Sequence, residues 1–129
     1  MRSIFTLALL SVCALSSIAG VNGDNTDKIA AAFKKGNADE VAAFFNSSID
    51  LTVPTGTGVY SKEQAKMILS KFFTTNVPSS AKVIHKGTSG SGANYAVIEL
   101  ETSGGTYRVN VLMKQEGGTY MIRELKIEK

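Results

Sequence analysis

The sequence predicts an α+β domain in which a curved antiparallel sheet of about four to five strands wraps around one long helix, preceded by an N-terminal helical hairpin. Three observations carry this. Residues 60–76 (YSKEQAKMILSKFFTTN) form the one long segment with helical periodicity and with start and stop signals at both ends. From Ala81 onward, β-type runs alternate with short glycine-rich loops. Ahead of the long helix, two shorter helical patterns meet at Gly36.

The 129 residues, 43% of them hydrophobic, suffice for one domain with a packed core. Residues 1–23 stand apart from it as a signal peptide. Met1-Arg2-Ser3 is a short basic start, and Ile4 to Ile18 (IFTLALLSVCALSSI) is an apolar run too short for a spanning helix. Cleavage is expected after Gly20 or Gly23, leaving a single domain over 24–129. Such a protein is exported, periplasmic or extracellular, and has no membrane attachment once cleaved. Lipidation at Cys13 calls for a small residue before the cysteine, and Val12 departs from that pattern. With Cys13 gone, the mature chain has no cysteine, which excludes disulfides, thiol catalysis and cysteine metal sites. Losing Arg2 lowers the formal charge from +3 to +2, and the remaining basic residues are dispersed. Nucleic acid is therefore not an expected partner.

The elements follow in order. Asp24 to Lys35 is a helix capped by Asp24 or Thr26, with Ile29, Ala30, Ala32 and Phe33 inward. Lys34 and Lys35 suit its negative end and Gly36 stops it. Asn37 opens a second helix, Ala38 to Phe45, with Val41, Phe44 and Phe45 on its buried face. Ile49 to Val53 alternates with period two, as a half-buried strand does, and Pro54 to Gly58 is a turn. In the long helix Ser61 and Gln64 form a capping box, and Ala65, Ile68, Leu69, Phe72 and Phe73 make one apolar stripe. Asn76 and Pro78 end it.

Four strands are expected next: Ala81–Lys86, Ala93–Thr102, Thr106–Lys114 and Thr119–Ile127. Their loops contain paired or spaced glycines suited to tight hairpins, and GGTY occurs at Gly104 and again at Gly117, one hairpin solution used twice. Tyr107, Val109, Val111 and Met113 share one face. In the last run Tyr120 and Ile122 have one parity, whereas Leu125 and Ile127 have the other. That switch predicts a β-bulge near Arg123-Glu124 and hence a bent sheet. A bent sheet beside an amphipathic helix suggests a cone with the helix as its plug.

This order of elements resembles the nuclear-transport-factor-two-like superfamily, also called SnoaL-like or cystatin-like. More narrowly, the stretches KKGNADEVAAFFNSSIDLTVP, GVYSKEQAKMILSKFF and GGTYMIRELKIEK look like a secreted bacterial family known only as a domain of unknown function. The resemblance runs from Asp24 to the C-terminus. It implies a strongly curved sheet around a long helix, with an internal pocket, and it brings no catalytic motif. The superfamily includes isomerases, dehydratases and hydrolases that use pocket Asp, His, Tyr or Arg, and many noncatalytic members, so fold alone does not decide function.

No residue cluster amounts to a catalytic set. His85, the only histidine, is the default general-base candidate, and it shares strand parity with Ala81 and Val83. Its ordinary alternative is a strand histidine at the sheet margin. Asp50 could serve as a pocket acid, although its position between Ile49 and Leu51 favours solvent. Tyr95 could assist either. Glu99, Arg108 and Arg123 suit a cross-strand charge ladder better than an anion site. One histidine and scattered carboxylates give no metal-ligand spacing, and no cofactor is implied. The glycine-rich GTGVYSKEQ segment lacks the phosphate-loop pattern. Asn46-Ser47-Ser48 is a glycosylation sequon, relevant only in a eukaryotic secretory pathway.

If the cone is hollow, Phe45, Phe72, Tyr95, Tyr107 and Met113 are expected to line it. The leading expectation is a noncatalytic domain that binds a small apolar ligand or a protein partner, with a homodimer through the open sheet face as one form of the latter. The alternative is a small lyase or isomerase using a pocket carboxylate assisted by His85 or Tyr95. A purely structural envelope protein makes no distinct sequence prediction.

Overall fold

A computed structural model of the chain describes residues 25–88 and 92–129; the expected signal peptide, 1–23, and the Asp24 cap lie outside them. Three helices, α1 (Thr26–Lys35), α2 (Ala38–Ala42) and α3 (Lys62–Thr75), pack on one face of a single sheet. Its strands are β1 (Phe45–Val53), β2 (Gly56–Ser61), β3 (Pro78–Thr88), β4 (Ala93–Thr102), β5 (Gly105–Glu116) and β6 (Thr119–Glu128). Among the described residues no helix is long and apolar enough to cross a membrane.

The expected fold class is present, an α+β arrangement with a curved, unclosed sheet and a helical hairpin ahead of it. Several boundaries differ for local reasons. Asn25, in the left-handed region at φ 48°, precedes α1, and Thr26 lies inside the helix instead of capping it. Gly36, at φ 65°, closes α1, donating its N–H to Phe33 as the left-handed cap requires. The second helix stops at Ala42, not Phe45. There Ile122 N donates to the Phe44 carbonyl at 2.6 Å, which draws the chain into the sheet beside β6. The stretch expected to be a turn supplies the sixth strand, because residues 56–61 pair antiparallel with residues 48–53.

The strand order is β2-β1-β6-β5-β4-β3, and among the described residues β1 and β6 are the one parallel pair. The β4, β5 and β6 meander matches the expected hairpins. Leu112 opposes Glu124 while Met113 opposes Ile122, so Arg123 is the extra residue of the expected bulge. It reverses side-chain parity, and both Ile122 and Leu125 are thereby buried. A second bulge was not foreseen. Val83 opposes Ile98 but His85 opposes Val97, which leaves Ile84 unpaired in β3.

The core lies between the helices and the concave face of the sheet. Phe45, Ile49, Leu69, Ile98, Leu100, Met113, Ile122, Leu125 and Ile127 are fully buried there, each contributing about 1.5–3 kcal/mol of transfer free energy. An aromatic chain ties the helices to the sheet. Phe33 of α1 meets Phe73 at 5.7 Å between centroids, Phe73 meets Phe72 at 5.9 Å, and Phe72 meets Tyr107 of β5 at 5.1 Å, all edge-to-face. The capping box starts α3: Ser61 Oγ accepts from Gln64 N, and Gln64 Oε1 accepts from Ser61 N, both at 3.2 Å.

Candidate functional site

The C-terminal half of α3 does not meet the sheet evenly. Its stripe splits: Leu69, Phe72 and Phe73 are buried, whereas Ile68 on the flank is only partly covered. Opposite that flank stands the β1–β2 hairpin, whose tip carries Pro54 and small residues. The space between them is a half-open groove of about 490 Å³, bounded by Val53, Pro54, Tyr60, Ile68, Phe72 and Tyr107 as its apolar walls. That volume is within the range of small-molecule sites. Thr55, Lys71, Thr75 and Asn76 add polar groups.

Two glycines shape the groove by the space they leave. The Tyr60 ring folds back over Gly58, where an added Cβ would come within 2.9 Å of it. A side chain at Gly58 would therefore require the Tyr60 ring to move. At the floor, Asn76 closes α3 by donating its backbone N–H to the Phe72 carbonyl at 2.8 Å and its side-chain Nδ2 to the same oxygen at 3.1 Å. Its Oδ1 accepts from the Tyr107 hydroxyl at 3.1 Å, so this buried amide is held from both ends. An added Cβ at Gly104 would overlap that Oδ1, which is why the β4–β5 hairpin has no side chain there.

A second, smaller hollow of about 230 Å³ adjoins the groove on the outside of α3. It shares Tyr60, Ile68 and Lys71 with the first and adds Gln64 and Met67. Met67 is 64% exposed, high for a residue of its size. On the other side of the helix the charges are satisfied. Lys66 pairs with Asp39 and Glu63, each at 3.3 Å, and the hydrogen bonds it donates to Glu63 and then to Asp39 hold its ammonium above the ordinary lysine pKa.

The sequence-predicted residues are distributed as follows. Of the five expected pocket residues, Phe72 and Tyr107 line the groove. Phe45 and Met113 are packed inside the core at 1% and 0% exposure, because the concave face is filled by side chains at that level. Tyr95 lies on the convex face, opposite Leu112, with its ring laid over Gly87 of β3. His85 lies there too, since the extra residue Ile84 reverses the parity that Ala81 and Val83 set. The structure brings these two together: Tyr95 Oη and His85 Nε2 are 3.4 Å apart and the ring centroids 5.7 Å apart.

Asp50 is also on the convex face, exposed, opposite Val59 and Glu124. Four strand spacings separate β1 from β3, about 19 Å, so Asp50 does not reach His85. No hydrogen bond joins His85 to a carboxylate among the described residues. Glu99 opposes Arg108 across β4 and β5, but Arg123 turns away from that ladder to Glu116, at 2.7 Å. No group of three or more metal-ligating side chains occurs among the described residues.

Sequence reasoning missed the hairpin wall of the groove and Ile68 and Lys71 as lining residues. The available signal was the pair Gly56 and Gly58, with Gly58 two residues before Tyr60 and so on the same strand face, which suits a strand that an aromatic ring folds back upon.

Comparison with known proteins bears on the fold and the family. The family described as "Domain of unknown function (DUF4783)" matches residues 26–128. A crystal structure of a DUF4783 family protein from Bacteroides ovatus superposes with a TM-score of 0.74 at 27% identity, covering 78% of this chain and 91% of that one. A domain of unknown function with a cystatin-like fold from Nostoc punctiforme gives a TM-score of 0.63 at 15% identity, with coverage of 79% and 70%. A de novo designed protein with a curved β-sheet gives 0.63 at 12% identity, with coverage of 80% and 96%. At such identities the last two bear on the fold alone. No curated protein matches the sequence.

Proposed function

The chain belongs to the DUF4783 family, a domain of unknown function in the nuclear-transport-factor-two-like and cystatin-like fold group, and from its groove we propose a noncatalytic binding role for it after export. The ligand is small and largely apolar. It enters between the C-terminal half of α3 and the β1–β2 hairpin and lies on Phe72, Ile68, Val53 and Tyr107. One observation carries this reading: the concave face is filled where Phe45 and Met113 lie, and the open volume of about 490 Å³ is beside the β1–β2 hairpin, with mainly apolar walls.

The distribution of titratable groups supports binding over catalysis. A lyase or isomerase of the alternative kind needs a carboxylate facing its pocket. No Asp or Glu lines this groove among the described residues, while His85, Asp50 and Tyr95 share the convex face. The test is titration with 1-aminoanthracene, a neutral fluorophore that brightens in apolar sites. Saturable enhancement at one site is expected, and Ile68→Trp should abolish it by filling the groove, with the far-UV circular dichroism unchanged. Absence of enhancement, or enhancement indifferent to Ile68→Trp, would defeat the proposal.

A protein-partner reading has its own support. Tyr95, Val97, Leu112 and Met121 are half-buried side chains on neighbouring convex-face positions. A second copy stacking there would make a homodimer, to be read by sedimentation equilibrium. Leu112→Lys should then yield monomer without loss of groove binding.

A further inference from the structure

Among the described residues, Lys71 is the one charged residue lining either hollow, and it lines both. It follows Gln64, Met67 and Ile68 and precedes Thr75 at helical spacing, so it stands midway along the groove-facing flank of α3. From Gln64 to Thr75 that flank runs about 16 Å at 1.5 Å per residue. Lys71 is exposed and, like most lysines among the described residues, makes no ion pair, so its ammonium is free to meet a ligand; what distinguishes it is its place on the apolar groove. Around it are Ile68, Phe72 and the Tyr60 ring on one side and Met67 on the other.

An apolar trough with one uncompensated cation at its waist has a definite complement. A neutral hydrocarbon would leave the exposed ammonium with water as its partner and gain nothing from it, and a cationic amphiphile would be repelled. A dianionic phosphate would be only half neutralised by one lysine, which meets it as a point charge and not as a fork. A single carboxylate on a flexible chain satisfies each condition. Building on the groove reading above, we propose that the occupant is a single-chain anionic amphiphile of the fatty-acid class. Its alkyl tail lies along Phe72, Ile68 and Val53, and its carboxylate pairs with Lys71.

The test is displacement of 1-aminoanthracene from the full chain by dodecanoate, dodecanol and dodecyltrimethylammonium, each below its micelle concentration. Dodecanoate should displace the probe at about fivefold lower concentration than dodecanol at low salt, as expected for a partly exposed ion pair of ~1 kcal/mol. The cation should be the weakest of the three. Lys71→Gln should remove the preference, bringing dodecanoate and dodecanol to the same displacing concentration, with the far-UV circular dichroism reporting that the variant is folded. Lys71→Arg should keep the preference, and raising the salt should narrow it. Equal displacement by all three compounds, or a dodecanoate preference that survives Lys71→Gln, overturns the carboxylate assignment and leaves the groove reading standing. Failure of the probe to bind at all overturns both.

Discussion

Replacing Phe72 by Ala removes the ring that joins α3 to the sheet, and its cost can be worked from the packing. Phe72 is 7% exposed and sits between Phe73 at 5.9 Å and Tyr107 at 5.1 Å. A buried Phe→Ala change costs about 3–5 kcal/mol, a figure that includes both the transfer and the cavity terms. Here the ring also borders the groove, so the space it vacates opens to water instead of becoming a sealed void. That places the expected loss near the lower end, about 3 kcal/mol, with the two edge-to-face contacts making up roughly 1–3 of it. For a domain of this size the melting temperature should fall by about 12–24 °C.

Urea unfolding followed by far-UV circular dichroism is the assay, with the loss appearing as a lower midpoint at constant slope. Phe73→Ala is the internal comparison. Phe73 is equally buried but does not line the groove, so its truncation leaves a closed cavity and should cost more, about 4 kcal/mol. A loss below about 1 kcal/mol for Phe72→Ala, in the range of an ordinary surface change, would refute the seating of α3 on β5. A cost greater than that of Phe73→Ala would instead refute the placement of the Phe72 ring at the open groove.

Three other outcomes follow from the same geometry. Tyr107→Phe deletes the hydroxyl that Asn76 Oδ1 accepts from, and should cost about 1–3 kcal/mol in thermal or urea unfolding because a buried acceptor loses its donor. Gly104→Ala forces a methyl group against Asn76 Oδ1 and should cost about 1–3 kcal/mol; in an Asn76→Ala background that penalty should largely vanish, which a double-mutant cycle measures directly. Asp50→Asn and His85→Ala, both on the convex face, should change stability by no more than about 0.5 kcal/mol and leave 1-aminoanthracene binding unaltered in the fluorescence titration.

The parts of the fold that were legible in the sequence are those specified by neighbours in the chain. Ser61 and Gln64 announce the start of α3 because both halves of the capping box lie within four residues. The Arg123 bulge was legible because apolar residues stand at both parities, Ile122 before it and Leu125 after it, and only an extra residue buries both. The Ile84 bulge gave no such sign. It lies in the edge strand β3, where Lys82 and Lys86 are exposed and no buried residue follows to betray the reversal. That one residue turned His85 from a concave-face candidate into a convex-face neighbour of Tyr95.

β2 was missed because Gly56-Thr57-Gly58 has no apolar alternation, and only Tyr60 in that strand has a side chain to set against the core. The pairing of β1 with β6 joins opposite ends of the chain, which no local pattern reports. The groove was illegible for the same reason, since its walls come from β1, β2, α3 and β5 at once.

That parallel pair has a consequence for the order in which the structure can assemble. Leu51 pairs with Leu125, so the first strand of the sheet waits for the last. The β3–β6 meander closes short loops and can form early, whereas docking β1 requires closing a loop that spans most of the chain. Mutations within the β4–β5 and β5–β6 hairpins should accordingly slow folding, while truncations at Leu51 should mainly speed unfolding. A chain emerging vectorially, N-terminus first, could pair β1 with β2 but would leave the other edge of β1 open until β6 had appeared. The hairpin wall of the groove would be the final part to become native.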